Sequence, residues 1–512
     1  MNTEVLVVGA GPTGLALAVW LARFGVRFRI IDKNEDVAPI SRALGVHART
    51  LEFYRQLGFA DAVIARGVIM PSLNLWARGK RAARVPLEDI GHGLTRFPFV
   101  LDLSQDEHER VLIEKLAEAG CQVERRTELI EFTQDGDGVT ATLRHADGRE
   151  EKCHCGYIAG CDGGRSVVRT TLGVEFGGGT YDHLFYVADV TARGPVVNDG
   201  VHVDLDDADL LAVFDMKGEG HVRLVGTLPD EKPGEEGKSF AFVDVRQRPL
   251  EHLHLQVERV QWFSTYRVHH RVANRFRVGR AFLLGDAAHV HSPVGAQGMN
   301  TGIGDATNLA WKLAAVVRGE LRSAVLDTYE GERIGFARRL VATTDRAFEI
   351  ASKRGVLAGF VRTRAFPLIV SVVFRSRAAR RYLFRTVSQI MINYRDSALS
   401  IGRAGGVHAG DRLPWVPPER SDGSDNHSPL ASCRWQVHVY GNVSDDLAEV
   451  CARLNLELHR FNWRDVMAQA GIARGAMYLI RPDGYVALAS ADCDARTLAG
   501  YWGSQRPSGD RR

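Results

Sequence analysis

The alternation of apolar and polar positions predicts an α/β chain. Residues 4–9 read Glu-Val-Leu-Val-Val-Gly, an apolar run with no alternation. Such a run suits a parallel strand covered on both faces. A helical stretch over 15–24 follows, then a second strand over 26–31 that ends at Asp32. Apolar strands at 157–160 and 281–284 repeat the pattern, and the latter leads to a predicted helix over 301–318. Residues 181–271 behave differently. Strand-like stretches at 210–214 and 222–227 are separated by polar breaks, which predicts a second sheet. Near the C-terminus, strand-like 435–439, helical 444–453 and 463–470, and strands 477–480 and 485–488 predict a further α/β unit.

With 512 residues the chain exceeds one ordinary core, so two or three domains are expected. Lys and Arg number 65 against 62 Asp and Glu, a balance that argues against a nucleic-acid partner. Seven scattered cysteines give no disulfide framework and fit a reducing compartment. No basic leader or cleavage site precedes the first strand, so a cytoplasmic location is expected. The longest late apolar run, 366–374, has nine residues against roughly 20 needed for a bilayer span, so no membrane span is expected. Residues 352–390 mix arginines with apolar residues; the reading is a solvated helical face linking two domains, preferred over a membrane-surface helix.

Three glycine clusters carry the candidate chemistry. Gly9-Ala10-Gly11-Pro12-Thr13-Gly14 stands between the first strand and first helix, the context of a dinucleotide fingerprint. Gly9 permits the tight turn, Gly11 the approach of a pyrophosphate, and Gly14 close packing of helix on strand. Asp32, 18 residues after Gly14, suits the hydroxyls of an adenosine ribose. On its own this motif serves NAD or FAD equally. The second cluster is Asp162-Gly163, after the strand at 157–160. The third is Gly285-Asp286 with His289, Pro293, Gly295, Gly298, Met299 and Asn300, where Asp286 suits a ribityl hydroxyl and a helix N-terminus faces an electron-rich group.

In this order and spacing the three clusters resemble those of the class A flavoprotein aromatic monooxygenases, the para-hydroxybenzoate hydroxylase-like family. Tyr394-Arg395-Asp396-Ser397 followed by Gly410-Asp411-Arg412 is similar to its three-domain members, which act on aromatic polyketides and phenols. The resemblance implies an FAD-binding Rossmann-like domain of the glutathione reductase type over 1–72, 98–180 and 272–390. It implies an interleaved β-sheet substrate domain over 73–97 and 181–271, and a thioredoxin-like C-terminal domain over 400–512. Cys433, Cys451 and Cys493 form no Cys-x-x-Cys, so no redox role is expected for that last domain.

The resemblance also implies roles. Gly9, Gly11, Pro12, Thr13, Gly14, Asp32 and Lys33 would hold the ADP half of FAD. Arg42 and Gln105 would lie near the flavin, Asp162 and Gly163 in the second motif, and Gly285, Asp286, Pro293, Gly298, Met299 and Asn300 along the ribityl chain and ring. Arg42, Pro293 and Gly295 would shape the catalytic face. Asp32 stands where the family more often has Glu. NADPH or NADH would donate electrons, although no separate nicotinamide domain is present. The implied reaction is hydroxylation of an aromatic substrate by dioxygen through a C4a-hydroperoxyflavin, in a monomer or homodimer. Baeyer–Villiger insertion, antibiotic-inactivating hydroxylation and plain FAD-dependent reduction are the alternatives on the same motifs.

Other constellations are declined. Cys153-His154-Cys155 with Cys161 lacks a second ligand pair at zinc spacing, so no metal is expected. His289 and His291 read as part of the third loop. No G-x-S-x-G elbow supports a hydrolase.

Overall fold

The computed structural model describes residues 2–37, 43–205, 210–228, 240–292, 296–352, 359, 361–420 and 423–506. Its first sheet places Asn2–Val8 between Glu150–Gly160 and Phe28–Ile31, with Ala281–Leu283 beyond Glu150–Gly160, all four parallel. Val8 aligns with Ile31 and Gly160, and Gly160 with Leu283. The four strands therefore end at one level, and the loops carrying Gly9, Asp32, Asp162 and Gly285 leave from one edge. Ligands of open parallel sheets bind outside that carboxyl edge. The helices Pro12–Arg23 and Gly298–Val317 pack together over this sheet, and Leu15, Leu17, Ile303 and Ala306 share its core. The second helix starts at Gly298, three residues before its predicted start, so Gly298, Met299 and Asn300 lie in its first turn.

The second sheet has eight strands, built around Phe176–Arg193, Gln256–Ala273, His221–Thr227 and Leu211–Asp215. Val201–Asp204, Ser72–Ala77 and Lys80–Pro86 extend it at one side. One face carries Tyr186, Ala188, Val222 and Leu224, which pack under Leu250 and Leu253. Strand alternation sends Asp189 and its cross-strand partner Arg223 to the other face. Of the aromatic residues at 262–266, Phe263 joins the packed face, stacked on Tyr186, whereas Trp262 lies beneath the Arg223 guanidinium.

The C-terminal sheet runs Val407–His408, Ile401–Ala404, Val486–Ser490, Met477–Ile480, Gln436–Tyr440, Glu457–Phe461. Its last predicted strand starts one residue late, at Val486, because Tyr485 pairs instead with Arg412 in an isolated bridge. The turn before it is fastened to the helices of the first sheet. Arg481 donates to both oxygens of Glu332 at 2.8 and 3.0 Å and to Asp483 at 3.0 and 2.5 Å. Lys312 reaches the same Glu332 at 2.8 Å, and Trp311 donates to Asp483 at 3.0 Å. A second clamp joins Arg412 and Arg49 on Glu52. Burial would raise the Glu332 and Glu52 carboxyls, but these cations hold both far below the usual carboxylate range.

A buried carboxylate of opposite character sits where the first and second sheets meet. Asp102 pairs with Gly45 in one neighbouring strand and Val68 in the other. Both its oxygens are buried without a hydrogen-bond partner. Burial pushes its carboxyl up to about 8; the facing Arg223 lowers it, and Asp215 and Asp189 raise it further.

Two predictions follow from these buried charges. Arg481→Met leaves Glu332 and Asp483 face to face, and denaturant unfolding should report a loss of about 3–5 kcal/mol. Arg395→Met removes a more exposed pair with Asp411 and should cost under ~1 kcal/mol; equal losses in the two variants would contradict the clamp. For Asp102, a folded pKa above the unfolded one means that stability falls as pH rises through the unfolded range, near 4, up to about 8. Asp102→Asn should therefore raise Tm most at pH values above about 8, with the gain shrinking toward pH 5. A pH-independent difference between variant and wild type would rule this out.

Candidate functional site

The first loop is shaped by contacts that only glycine tolerates. Gly9 has φ of 100°, and a Cβ there would lie 2.4 Å from the Cys161 carbonyl oxygen. A Cβ on Gly14 would lie 1.9 Å from the Gly9 carbonyl oxygen. A Cβ on Gly11 would meet nothing within 4 Å, so the glycine expected to admit the pyrophosphate faces open space. Pro12 opens the helix, and no side chain caps it. Its first N–H groups are thus directed at that space, an arrangement suited to an anion. Asp32 buttresses the turn: one oxygen accepts from the Ala10 N–H at 2.7 Å and the other from the Asn34 N–H at 2.8 Å. Lys33 is exposed beside it.

The third cluster brings a second helix N-terminus to the same place. Cβ atoms on Gly285 and Gly302 would lie 2.5 and 2.2 Å from the Thr13 hydroxyl oxygen. The helix at Gly298–Val317 also lacks a side-chain cap. Behind the Gly285 turn lies Asp305, which accepts from the Gly285 N–H at 3.0 Å, His289 Nε2 at 2.7 Å and Arg333 Nε at 2.6 Å. Burial would raise the Asp305 carboxyl, but Arg333 and His289 hold it below the usual range. Arg333 also donates to the Thr301 carbonyl and the Tyr394 hydroxyl, each at 3.0 Å. Asp286, next to this fixed turn, is exposed at the edge.

The second cluster completes the rim. Asp162 Oδ2 accepts from the Val167 and Val168 N–H groups at 2.7 and 3.1 Å. Its Oδ1 is buried with no partner, and burial raises the carboxyl. A Cβ on Gly163 would meet nothing within 4 Å. Arg169 ties the two loops together, donating to the Gly164 carbonyl at 2.7 Å and the Ala287 carbonyl at 2.9 Å.

At the far end of the cleft the site residues face the protein more than open space. Asn300 Oδ1 accepts from the His47 N–H and the Thr50 hydroxyl, and its Nδ2 donates to the Gly45 and Ala296 carbonyls. Three of these contacts staple the helix start to the segment 45–50, so its side chain is a clasp. The Met299 sulfur lies 3.3 Å from His108 Nδ1. The Gln105 side-chain amide donates to Glu109 one turn along its own helix, at 2.8 Å. Gly298 sits against His291. Arg42, Pro293 and Gly295 lie outside the described residues.

Sequence reasoning missed Asp305, Arg333, Arg169 and the Asp189–Arg223 pair, whose oxygen–nitrogen distances are 2.5 and 2.6 Å. Asp305 was visible only as the acid of Gly304-Asp305, with no sign that it supports Gly285. No cluster of metal-ligating side chains is present among the described residues.

Together these features fit FAD. The uncapped helix start at Pro12 opens beside Gly11, suited to a pyrophosphate. The second uncapped helix crosses Thr13 at Gly302, and its own start, at Gly298, stands about one turn further on beside His291. The unpartnered Asp162 oxygen and the exposed Asp286 suit a hydroxylated chain.

The family model for the FAD binding domain matches residues 2–344. A 6-methylpretetramide 4-monooxygenase of Streptomyces rimosus is 34% identical over 97% of this chain and 92% of its own length. A pentachlorophenol 4-monooxygenase of Sphingobium chlorophenolicum is 33% identical over 81% and 76% respectively. Among solved structures, the OxyS anhydrotetracycline hydroxylase of Streptomyces rimosus superposes with a TM-score of 0.78 at 27% identity, covering 99% of both chains. With its parallel-sheet edge, its glycine loops and this full-length similarity, the chain belongs to the FAD-binding family of class A flavoprotein aromatic monooxygenases.

Proposed function

We propose that this protein is an FAD-dependent monooxygenase that places one oxygen atom of dioxygen on a polycyclic phenolic or polyketide ring, with NADPH or NADH as electron donor. The observation that carries the reading is the close packing of two helices, each with an uncapped N-terminus, at the Thr13, Gly285 and Gly302 contact, together with a second sheet that has Arg223 and Asp189 on the face opposite its packed core. The activities that name two relatives, a 6-methylpretetramide 4-monooxygenase and a pentachlorophenol 4-monooxygenase, favour a phenolic substrate. When bound, FAD supplies two-electron reduction by the nicotinamide and activation of dioxygen.

This chain's residues supply position and dryness. Gly9 to Gly14 and Asp32 hold the ADP half. Asp162 and Asp286 accept hydroxyls of the ribityl chain, and Gly163 leaves room for it. The N-terminus at Gly298 places N–H groups near the pyrimidine end, where negative charge collects on reduction. Arg42, Pro293 and Gly295, which lie outside the described residues, are assigned to the catalytic face on the family resemblance alone. The second sheet closes over that face, with Trp262 and Arg223 toward it, and excludes water. The C-terminal unit, read as thioredoxin-like without redox cysteines, serves as a packing clamp through Arg412 and Arg481.

Two outcomes test this. With NADPH, oxygen-18 gas and a panel of polycyclic phenols, mass spectrometry should find one labelled oxygen atom in a product. NADPH oxidation that yields hydrogen peroxide alone with every phenol would favour a reductase or oxidase, and a ring-expanded lactone would favour Baeyer–Villiger insertion. Separately, Asp286→Ala should weaken FAD binding about tenfold or more, since a charge-assisted hydrogen bond contributes about 1.5–3 kcal/mol. Gel filtration followed by flavin absorbance measures this, and undiminished retention would remove Asp286 from the site.

A further inference from the structure

The helix Phe366–Val373 inverts the usual order of a surface helix. On its inner side Pro367 is buried and Val370 packs against Leu75 and Ala83 of the second sheet and Leu205 beside it. Its outer stripe is apolar as well: Leu368 is 68%, Ile369 58% and Val372 63% exposed. The expected charged face is absent from this helix, because the arginines of the segment stand beyond its ends. Arg364 precedes it, and Arg375, Arg377 and Arg381 follow it, all exposed. None of these four is paired with a carboxylate among the described residues; Arg381 donates only to the His92 carbonyl. Across 350–395 the sequence has ten Lys and Arg and no Asp or Glu.

A contiguous apolar patch rimmed by charge marks an interaction surface. The chemistry of the rim and the shape of the centre select the partner. The apolar side chains stand out as a ridge, which needs no complementary groove. A lipid interface accepts such a ridge at the level of its headgroups, while arginines on both flanks meet the phosphates. The run is too short to cross a bilayer, and no described helix is long and apolar enough to do so. We propose that this ridge and its arginines dock the protein on an anionic lipid surface. The inference does not depend on the reaction proposed above.

The test uses the FAD-loaded full chain in vesicle co-sedimentation at low and high salt. Vesicles of phosphatidylcholine alone are compared with equimolar phosphatidylcholine and phosphatidylglycerol. Binding to the anionic vesicles is expected, about tenfold or more weaker on neutral vesicles and strongly reduced by salt. Ile369→Glu and the double variant Arg375→Glu, Arg377→Glu should each reduce it by a similar factor, with flavin content and melting temperature unchanged. No sedimentation with anionic vesicles at low salt would overturn the proposal. So would binding that both variants retain. Sedimentation equilibrium gives a further check: a dimer abolished by Ile369→Glu would assign the ridge to a second copy of the chain, and binding to an acidic carrier protein but not to vesicles would assign it to a protein partner.

Discussion

The buried carboxylate of Asp305 holds the site in shape. It is 1% exposed and binds a backbone N–H, an imidazole and a guanidinium at once. Each partner belongs to a different part of the cleft. Gly285 carries the turn that presents Asp286, His289 belongs to the strand that joins the second sheet, and Arg333 comes from the next long helix. A buried charge is tolerated only when its hydrogen-bonding capacity is filled, so these three positions are fixed together or not at all. Arg333 passes the constraint on to Thr301 and Tyr394. The geometry of the third glycine cluster is thus set from behind, by residues that face no ligand.

The same logic joins the layers. Glu332 and Glu52 draw Arg481 and Arg412 of the C-terminal sheet into the helices of the first sheet. Ion networks of this kind are weak sources of net stability, but they penalise any arrangement that separates the charges. They fix how the C-terminal unit sits. Asp102 is the counterexample. It carries burial without partners, at the junction where the second sheet closes, and so it charges that junction with a pH dependence.

How much was legible in the sequence follows from the range of each interaction. The glycine loops, the parallel strands and the acid at Asp32 were readable because turn geometry and strand composition are local. The placements of Asp305, Arg333 and Arg169 were not, since each depends on a partner distant in sequence: His289 is 16 residues from Asp305, Arg333 is 28 from it, and Ala287 is 118 from Arg169. Gln105 and Asn300 are expected beside the cofactor, and no sequence signal showed that their side chains would also bond to Glu109 and to the segment 45–50. Residue type gives a polar side chain a capacity, and only the packed neighbours choose where it is spent. The helix at Phe366–Val373 misled in the other direction: a basic, apolar stretch reads as a solvated face, while the fold buries its narrow stripe and leaves the apolar ridge outside.

The most direct test of this account is a crystal structure of the protein with FAD bound. The pyrophosphate should lie beside Gly11 with its oxygens within hydrogen-bond reach of N–H groups at the Pro12–Arg23 helix start, and the ribityl hydroxyls should meet Asp286 and the vacant oxygen of Asp162. A flavin bound with its pyrophosphate away from Gly11, or a complex in which Asp162 still lacks a partner and Asp286 faces solvent, would contradict it.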